Sequence, residues 1–556
     1  METRVLDGNT FKRILQGGAR EIRLNIQTIN DLNVFPVPDG DTGTNMSRTI
    51  ESGIAKISAE EDAPLSEVAA EFSRGSLLGA RGNSGVILSQ FFAGVCEKLS
   101  HSETVTAAEF ADAYITGVER SYAAVATPVE GTILTVFRES AEYAKQNINK
   151  DSTLEDFLTL NIEQAERSLA KTKEILPALI EADVVDSGGA GYVCIAKGMY
   201  EALSGAPIDA FEPLTSDAEK AAEIDYDLFT ADSELVWGYC TEALVRLQNA
   251  KIAPSDFDDK AFAKELERLG CDSIVALKDG DILKVHAHTR TPSDILTLCQ
   301  KYGEFLNVKI ENMSLQHSEK VAKAESVEPK KKKPHKKYGV VTVATGDGMT
   351  ALFESLGADV VINGGQTGNP SAEQFLEAFE SLNADNILVL PNNSNILLTA
   401  TQAAQLFDAE KVSVIPTKTL SQGYAALAVF NPAIDDLDMQ LADLNDAKDA
   451  VVSGELTVAI RDTVIGGVDV HEGEYIGILD GELVTSESDA IEAMCDMISK
   501  IEDVDDREIL TLFVGAGVSE DERAAMTEVL EERFEDLTVE VYIGGQEIYN
   551  YLIAVE

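Results

Sequence analysis

Apolar residues recur at three- and four-residue spacing from the start of the chain to about residue 205, with few alternating β-branched runs. That periodicity predicts amphipathic helices throughout the stretch. From Tyr338 the pattern switches to short apolar strands alternating with helices: Gly339–Ala344, Met349–Leu356, Asp359–Ile362, Ala372–Leu382 and Asn386–Leu390. Nearly continuous apolar strands between helices predict an α/β domain around a buried parallel sheet. Between these regions, Val236–Val245 reads as a strand, Ala261–Leu269 as a helix, and Ser273–Leu277 and Leu283–His288 as strands joined by a turn. The expectation for these 556 residues is a multidomain chain: all-α over 1–205, a small α+β domain over 225–315, and α/β over 338–556. An acidic stretch (Glu212 to Asp227) precedes the middle region, and a Lys-rich linker over 316–337 follows it. Gly364-Gly365-Gln366 recurs as Gly544-Gly545-Gln546, each after a strand that follows a helix, which suggests two related α/β lobes.

The formal net charge of −51 excludes nucleic acid as the main partner. The six cysteines (Cys96, Cys194, Cys240, Cys271, Cys299 and Cys495) are scattered and make no disulfide framework. With no secretory or membrane-spanning run in the sequence, a cytoplasmic protein is expected. The run Lys330-Lys331-Lys332-Lys333-Pro334-His335-Lys336-Lys337 breaks the acidic trend and reads first as linker. It also suits peripheral contact with an anionic membrane.

Turns interrupt the helical region where a purely structural bundle would not need them. Asn33-Val34-Phe35-Pro36-Val37-Pro38-Asp39-Gly40-Asp41-Thr42-Gly43-Thr44-Asn45-Met46 is a tight corner between helices, with Thr42 or Thr44 able to cap the second. Residues two apart in an extended loop point to one side, so Asp39 and Asp41 can face one centre. Paired carboxylates beside phosphates suit Mg²⁺. A second turn is Gly79-Ala80-Arg81-Gly82-Asn83-Ser84-Gly85, ahead of the apolar helix Val86–Cys96, where backbone N–H groups can approach a phosphate. The others are Pro128-Val129-Glu130-Gly131-Thr132 and Asp183-Val184-Val185-Asp186-Ser187-Gly188-Gly189. No P-loop or protein-kinase catalytic set occurs.

The corner string resembles the nucleotide-binding L subunit of dihydroxyacetone kinases. It is more similar still to the kinase domain found in the A subunit of bacterial fatty acid kinase. The resemblance extends over essentially the whole chain. It implies an antiparallel α-helical barrel with ATP at one end and Mg²⁺ on its phosphates. Asp39 and Asp41 match the two motif aspartates, as catalytic residues and metal ligands. The family's third, upstream aspartate is replaced here; Asn33 is the nearest candidate, with Asp31 an alternative. Thr42 and Asn45 match nucleotide positions. Asn83 and Ser84 would cradle phosphates, while Thr132, Asp186, Ser187 and Gly188 would line the nucleoside side. In Val285-His286-Ala287-His288 both histidines take one strand face, and with a thiolate they suit a three-ligand Zn²⁺ site. The family's zinc site carries over to Cys240, His286 and His288, with a structural or interaction role. The C-terminal region resembles the DegV-like fold of fatty-acid-binding B subunits. The implied activity is ATP-dependent phosphorylation of a fatty acid carboxylate held by such a carrier, in a homodimeric enzyme. A dihydroxyacetone-type small-molecule kinase and a non-catalytic scaffold are the alternatives. Residues from 338 onward would then dock the carrier without taking part in catalysis.

Overall fold

The computed structural model describes residues 3–33, 40–58, 63–206, 239–248, 250–253, 256–279, 282–312, 335–364, 368–459, 462–465 and 467–556. The molecule is multidomain: a helical domain, a middle domain and a C-terminal α/β domain. Residues 1–214 and 334–556 make one compact unit, and residues 215–333 make a second.

The helical domain comprises α1 (Gly8–Leu24), α2 (Ile26–Asp31), α3 (Thr42–Ala55), α4 (Leu65–Leu78), α5 (Gly82–Leu99), α6 (Ala107–Ala123), α7 (Ile133–Asn147), α8 (Leu154–Thr172), α9 (Pro177–Ala182) and α10 (Ser187–Leu203). From α3 to α8 each long helix packs against the next, and α10 returns from α8 against α1, closing a ring. The seam between α1 and α10 is a backbone-to-backbone approach: a Cβ on Gly17 would sit 2.3 Å from the Gly198 carbonyl oxygen. Inside the ring, Phe91 stacks on Phe137 with centroids 4.3 Å apart, and Tyr192 meets Phe137 edge-on at 4.7 Å. The buried Tyr192 hydroxyl donates to Asn161 Oδ1 at 2.8 Å, satisfying the polar end of the ring. The first sequence run is two helices and not one, broken at Asn25 (φ −109°, ψ 10°).

The C-terminal domain has two sheets. The first is parallel throughout, ordered Val412–Val414, Ala384–Leu390, Lys336–Ala344, Val360–Asn363. One of its central strands starts at Lys336, inside the stretch read as linker. Lys336 pairs with Asp359, Lys337 with Asp435 at 2.7 Å and His335 with Asp385 at 2.9 Å, so the end of the lysine run belongs to the folded domain. The second sheet has six strands, ordered Glu482–Glu487, Tyr475–Leu479, Val452–Val458, Tyr551–Val555, Ile509–Val514, Thr538–Ile543, and only the last pair is parallel. The last strand of the chain enters this sheet antiparallel, so the second lobe does not repeat the first. The two Gly-Gly-Gln turns are therefore not equivalent parts of one repeated lobe. The second turn instead braces the first lobe: the N–H of Met349 donates to the Gly544 carbonyl at 3.0 Å, and Gly346 (φ +91°) lies against Gly544-Gly545.

The middle unit is a four-stranded antiparallel sheet ordered Asp272–Asp279, Ile282–Thr289, Tyr239–Leu247, Gly303–Asn312, with helices Asp259–Arg268 and Pro292–Gln300. Val245, Leu283, Val285, Phe262, Leu266 and Leu298 form its core. Among the described residues no helix is long and apolar enough to cross a membrane. The acidic stretch from Glu212 to Asp227 and the lysines at 330–333 lie outside the described residues.

Candidate functional site

The N-termini of four helices meet at one end of the ring. Asp41 is the N-cap of α3 and is buried, 7% exposed, just after Gly40 (φ +51°). Its side chain does not cap the helix. Asn30 does so from α2: its Oδ1 accepts from the N–H groups of Gly43 (2.8 Å) and Thr44 (3.3 Å), and its Nδ2 donates to Thr44 Oγ1. Asn30, and neither Thr42 nor Thr44 as expected, closes this terminus. The Asp41 carboxylate is thereby spared the capping role that an aspartate at this position usually takes.

α5 begins beside α3. Gly82 (φ +56°) is its first residue, and a Cβ there would lie 2.5 Å from Asn45 Nδ2, so the buried Asn45 side chain fits only against a glycine. Arg81 at the N-cap provides no capping side-chain bond. The first N–H groups of α5, on Gly82, Asn83 and Ser84, have no intrahelical acceptors. Ser187, first residue of α10, donates through Oγ to Thr42 Oγ1 at 3.2 Å. Asp186 caps α10, accepting from the Gly189 N–H at 2.7 Å, and also accepts from the Ile133 N–H that opens α7. Burial pushes its carboxyl up to about 6, against the pull of these two donors. Thr132 caps α7 by accepting from the Leu134 N–H at 3.4 Å. Gly188 is buried, and a Cβ on it would meet Ile133 at 3.2 Å. Thus Asp41, Thr42, Asn45, Ser187 and the Asp186 cap are brought together with the start of α5, while Thr132 and Asp186 bond first to helix backbone.

Four positive helix ends directed at one place favour an anion with several negative oxygens. Asp41 brings hard oxygen donors of the kind Mg²⁺ takes beside phosphates. Asn33 ends the turn after α2, its N–H donating to the Asn30 carbonyl, and Asp31 accepts instead from Gln27 Nε2 at 2.7 Å on an exposed surface. Asp39 lies outside the described residues.

The C-terminal domain closes over this end of the ring. Asn369 Nδ2 donates to Asp41 Oδ2 at 2.5 Å. Arg81 donates through Nη1 to the Asn369 carbonyl at 3.0 Å, and Arg81 bridges Ser371 as a short antiparallel pair. Asn83 Nδ2 donates to Asn395 Oδ1 at 3.2 Å, so this side chain faces the α/β domain and its backbone is what remains for phosphate. Gln90 donates to Gln402, which donates to the Leu77 carbonyl, each at 2.7 Å. The expectation of a second unit held only by a flexible tether is corrected here: the docking surface is polar, buried and specific. Asn369 and Asn395 follow the carboxyl ends of the parallel strands Val360–Asn363 and Ala384–Leu390, the edge where α/β sheets carry their ligands. That position was the one signal in the sequence that pointed to them.

In the middle unit, backbone register pairs Cys240 with His288 and Glu242 with His286. Cys240, His286 and His288 therefore occupy positions on one face of adjacent strands, opposite to the face of Thr241, Ala243, Val285 and Ala287, which is buried. Their side chains are outside the description. Among the described residues, no group of three or more His, Cys, Asp or Glu could hold a metal ion.

A helical ring whose helix ends gather around a buried aspartate, joined to an α/β domain, defines a kinase, and residues 36–201 match the DAK2 domain model. Two further models belong to FakA, the A subunit of fatty acid kinase: residues 236–320 match the FakA-like middle domain, and residues 339–556 match the FakA-like C-terminal domain. Protein YloV of Bacillus subtilis (strain 168) is 40% identical over 565 residues, covering 100% of both chains. An uncharacterized protein of Staphylococcus epidermidis (strain ATCC 12228) is 38% identical and covers 99% of each. Among solved structures, DegV, a fatty acid binding protein from Bacillus subtilis, is similar at a TM-score of 0.30 and 14% identity, over 40% of this chain and 99% of that one. The chain belongs to the FakA-like family of fatty acid kinase proteins.

Proposed function

We propose that this chain transfers the γ-phosphoryl group of ATP to the carboxylate of a fatty acid presented by a separate carrier protein, giving acyl phosphate and ADP. The observation that carries this reading is the convergence of the α3, α5, α7 and α10 N-termini around Asp41 in a chain of this family. A carboxylate acceptor is ionised at neutral pH and needs no general base, so catalysis reduces to alignment and charge neutralisation. Backbone N–H groups of Gly82, Asn83 and Ser84 hold the phosphates, with Thr42 and Ser187 beside them. Thr132 and the Asp186-Ser187-Gly188 turn line the nucleoside side. Asp41 holds Mg²⁺ together with Asp39, with Asn33 as third candidate; the ion, when bound, neutralises charge on the transferring group. Zn²⁺ is assigned to Cys240, His286 and His288 as a structural centre. The division into 1–205, 225–315 and 338–556 gives catalysis to the first part and carrier docking to remaining surface of the last. The enzyme works as a cytoplasmic homodimer.

The test compares ADP release with carrier-bound fatty acid, with dihydroxyacetone and with no acceptor. Release that depends on the carrier-bound fatty acid and is lost in Asp41→Asn is the expected result. Release that follows dihydroxyacetone instead would replace this reading with a small-molecule kinase.

A further inference from the structure

Asn369 is 3% exposed, and its side chain bonds through Nδ2 to the Asp41 carboxylate. An ionised carboxylate only accepts, so the amide must turn its nitrogen to Asp41. Its other polar atom, Oδ1, is buried and has no hydrogen-bond partner among the described residues. A buried acceptor without a partner is costly and uncommon in folded proteins, and it marks a place where a further group belongs. The residues around it say which group. Asn369 Nδ2 would lie 3.0 Å from a Cβ on Gly82, at the first turn of α5, and Asn45 Nδ2 would lie 2.5 Å from the same point. Asp41, Asn45, Gly82 and Asn369 thus border one spot, with the start of a helix on one side and an aspartate on the other. An amide oxygen is a hard ligand of the kind Mg²⁺ or its bound water accepts. The backbone holding Asn369 is itself fixed to the helical domain: Arg81 Nη1 bonds its carbonyl, and the Ala372 N–H donates to the Ala80 carbonyl at 3.3 Å.

We infer that Asn369, contributed by the C-terminal α/β domain, is a positioning residue of the nucleotide–Mg²⁺ site: it orients the Asp41 carboxylate through Nδ2 and presents Oδ1 to the ion or its water. This rests on the kinase reading above and goes beyond it, because the site is then complete only when the C-terminal domain is docked. The α/β domain takes part in binding Mg·ATP and is not merely a platform for the carrier.

The experiment uses the full-length protein and measures ATP affinity by calorimetry, once with Mg²⁺ and once with EDTA. Asn369→Leu keeps the volume and removes both polar atoms. Gln402→Ala disturbs the same interface away from Asp41 and serves as the control. Loss of an outer partner of a metal ligand typically weakens metal affinity by about 10–100-fold. The expected result is a loss of about that size in Mg·ATP affinity for Asn369→Leu, unchanged ATP affinity in EDTA, and no change in either for Gln402→Ala. Mg·ATP affinity within twofold of wild type for Asn369→Leu would overturn the inference while leaving the kinase reading intact. No binding of Mg·ATP by the wild type would overturn both. A second variant guards against failure of the first to fold. Asn369→Asp sets a second carboxylate against Asp41, so its melting temperature should fall in EDTA and be raised by Mg²⁺ more than that of wild type. An equal Mg²⁺ response in the two proteins would also overturn the inference.

Discussion

Asn369 meets the carboxylate of Asp41 from 328 residues further along the chain, so the candidate site is shared between two domains. Neither residue is explained by its own domain alone. Asp41 is a helix N-cap that does not cap, and Asn369 is a buried amide with half of its polarity unused. The helical ring supplies the positive helix ends, and the ligand edge of the parallel sheet supplies the cover.

Gln402 tests the strength of that docking. It is 4% exposed, donates to the Leu77 carbonyl and accepts from Gln90. Gln402→Ala leaves both partners unsatisfied in a buried interface. We expect unfolding free energy to fall by about 1–3 kcal/mol, measured by denaturant unfolding followed by circular dichroism. A midpoint equal to wild type would mean that the interface is wet and loosely held.

The ring should be intolerant of volume at its seam. A Cβ on Gly198 would sit 2.2 Å from the Gly17 carbonyl oxygen and 2.6 Å from Glu21 Cβ, so Gly198→Ala must push α10 off α1. Overpacking of this kind costs about 1–3 kcal/mol. Gly517, with nothing within 4 Å of its notional Cβ, is the matched control. Thermal unfolding should show a lower melting temperature for Gly198→Ala and none of that loss for Gly517→Ala.

The helical ring and the first, parallel lobe were legible in the sequence because each is written in a local period: 3.6 residues for Phe11, Ile14, Leu15 and Ile22, and continuous apolar runs such as Ile387–Leu390. The corner at Asp41 was legible as a motif. The cap from Asn30 was not, because an asparagine in the preceding helix carries no positional signal for the start of the next. The second lobe misled, since the Gly-Gly-Gln echo records a turn and not the antiparallel entry of Tyr551–Val555. The docking of Asn369, Asn395 and Gln402 was invisible for a different reason. Isolated polar residues become a surface only when two folded domains bring them to partners more than 280 positions away.

Zinc content tests the middle unit. Register puts Cys240 opposite His288, with His286 two residues along on the same face. The full-length protein should contain one Zn²⁺ per chain by elemental analysis. The triple variant Cys240→Ala, His286→Ala, His288→Ala should contain none. Equal zinc in both preparations would place the metal elsewhere, and none in either would reduce the pair of histidines to a solvated strand face.

The last prediction concerns pH. Asp186 joins the starts of α7 and α10, and burial raises its carboxyl from an ordinary 3.8 to about 6 despite donors from Gly189 and Ile133. The folded protein therefore holds a proton at Asp186 over a range where the unfolded chain has lost it. Stability from this group is fully present below about pH 4 and is lost as pH rises through 6. Asp186→Asn keeps the cap, since asparagine caps about as well as aspartate, but removes the titration. Between pH 5 and pH 8 the wild type should lose stability relative to Asp186→Asn, with the difference levelling off above pH 7. Denaturant midpoints for both proteins at half-unit pH steps measure this directly. A difference independent of pH would show that the Asp186 carboxylate titrates at its ordinary value, with solvent reaching the junction of α7 and α10.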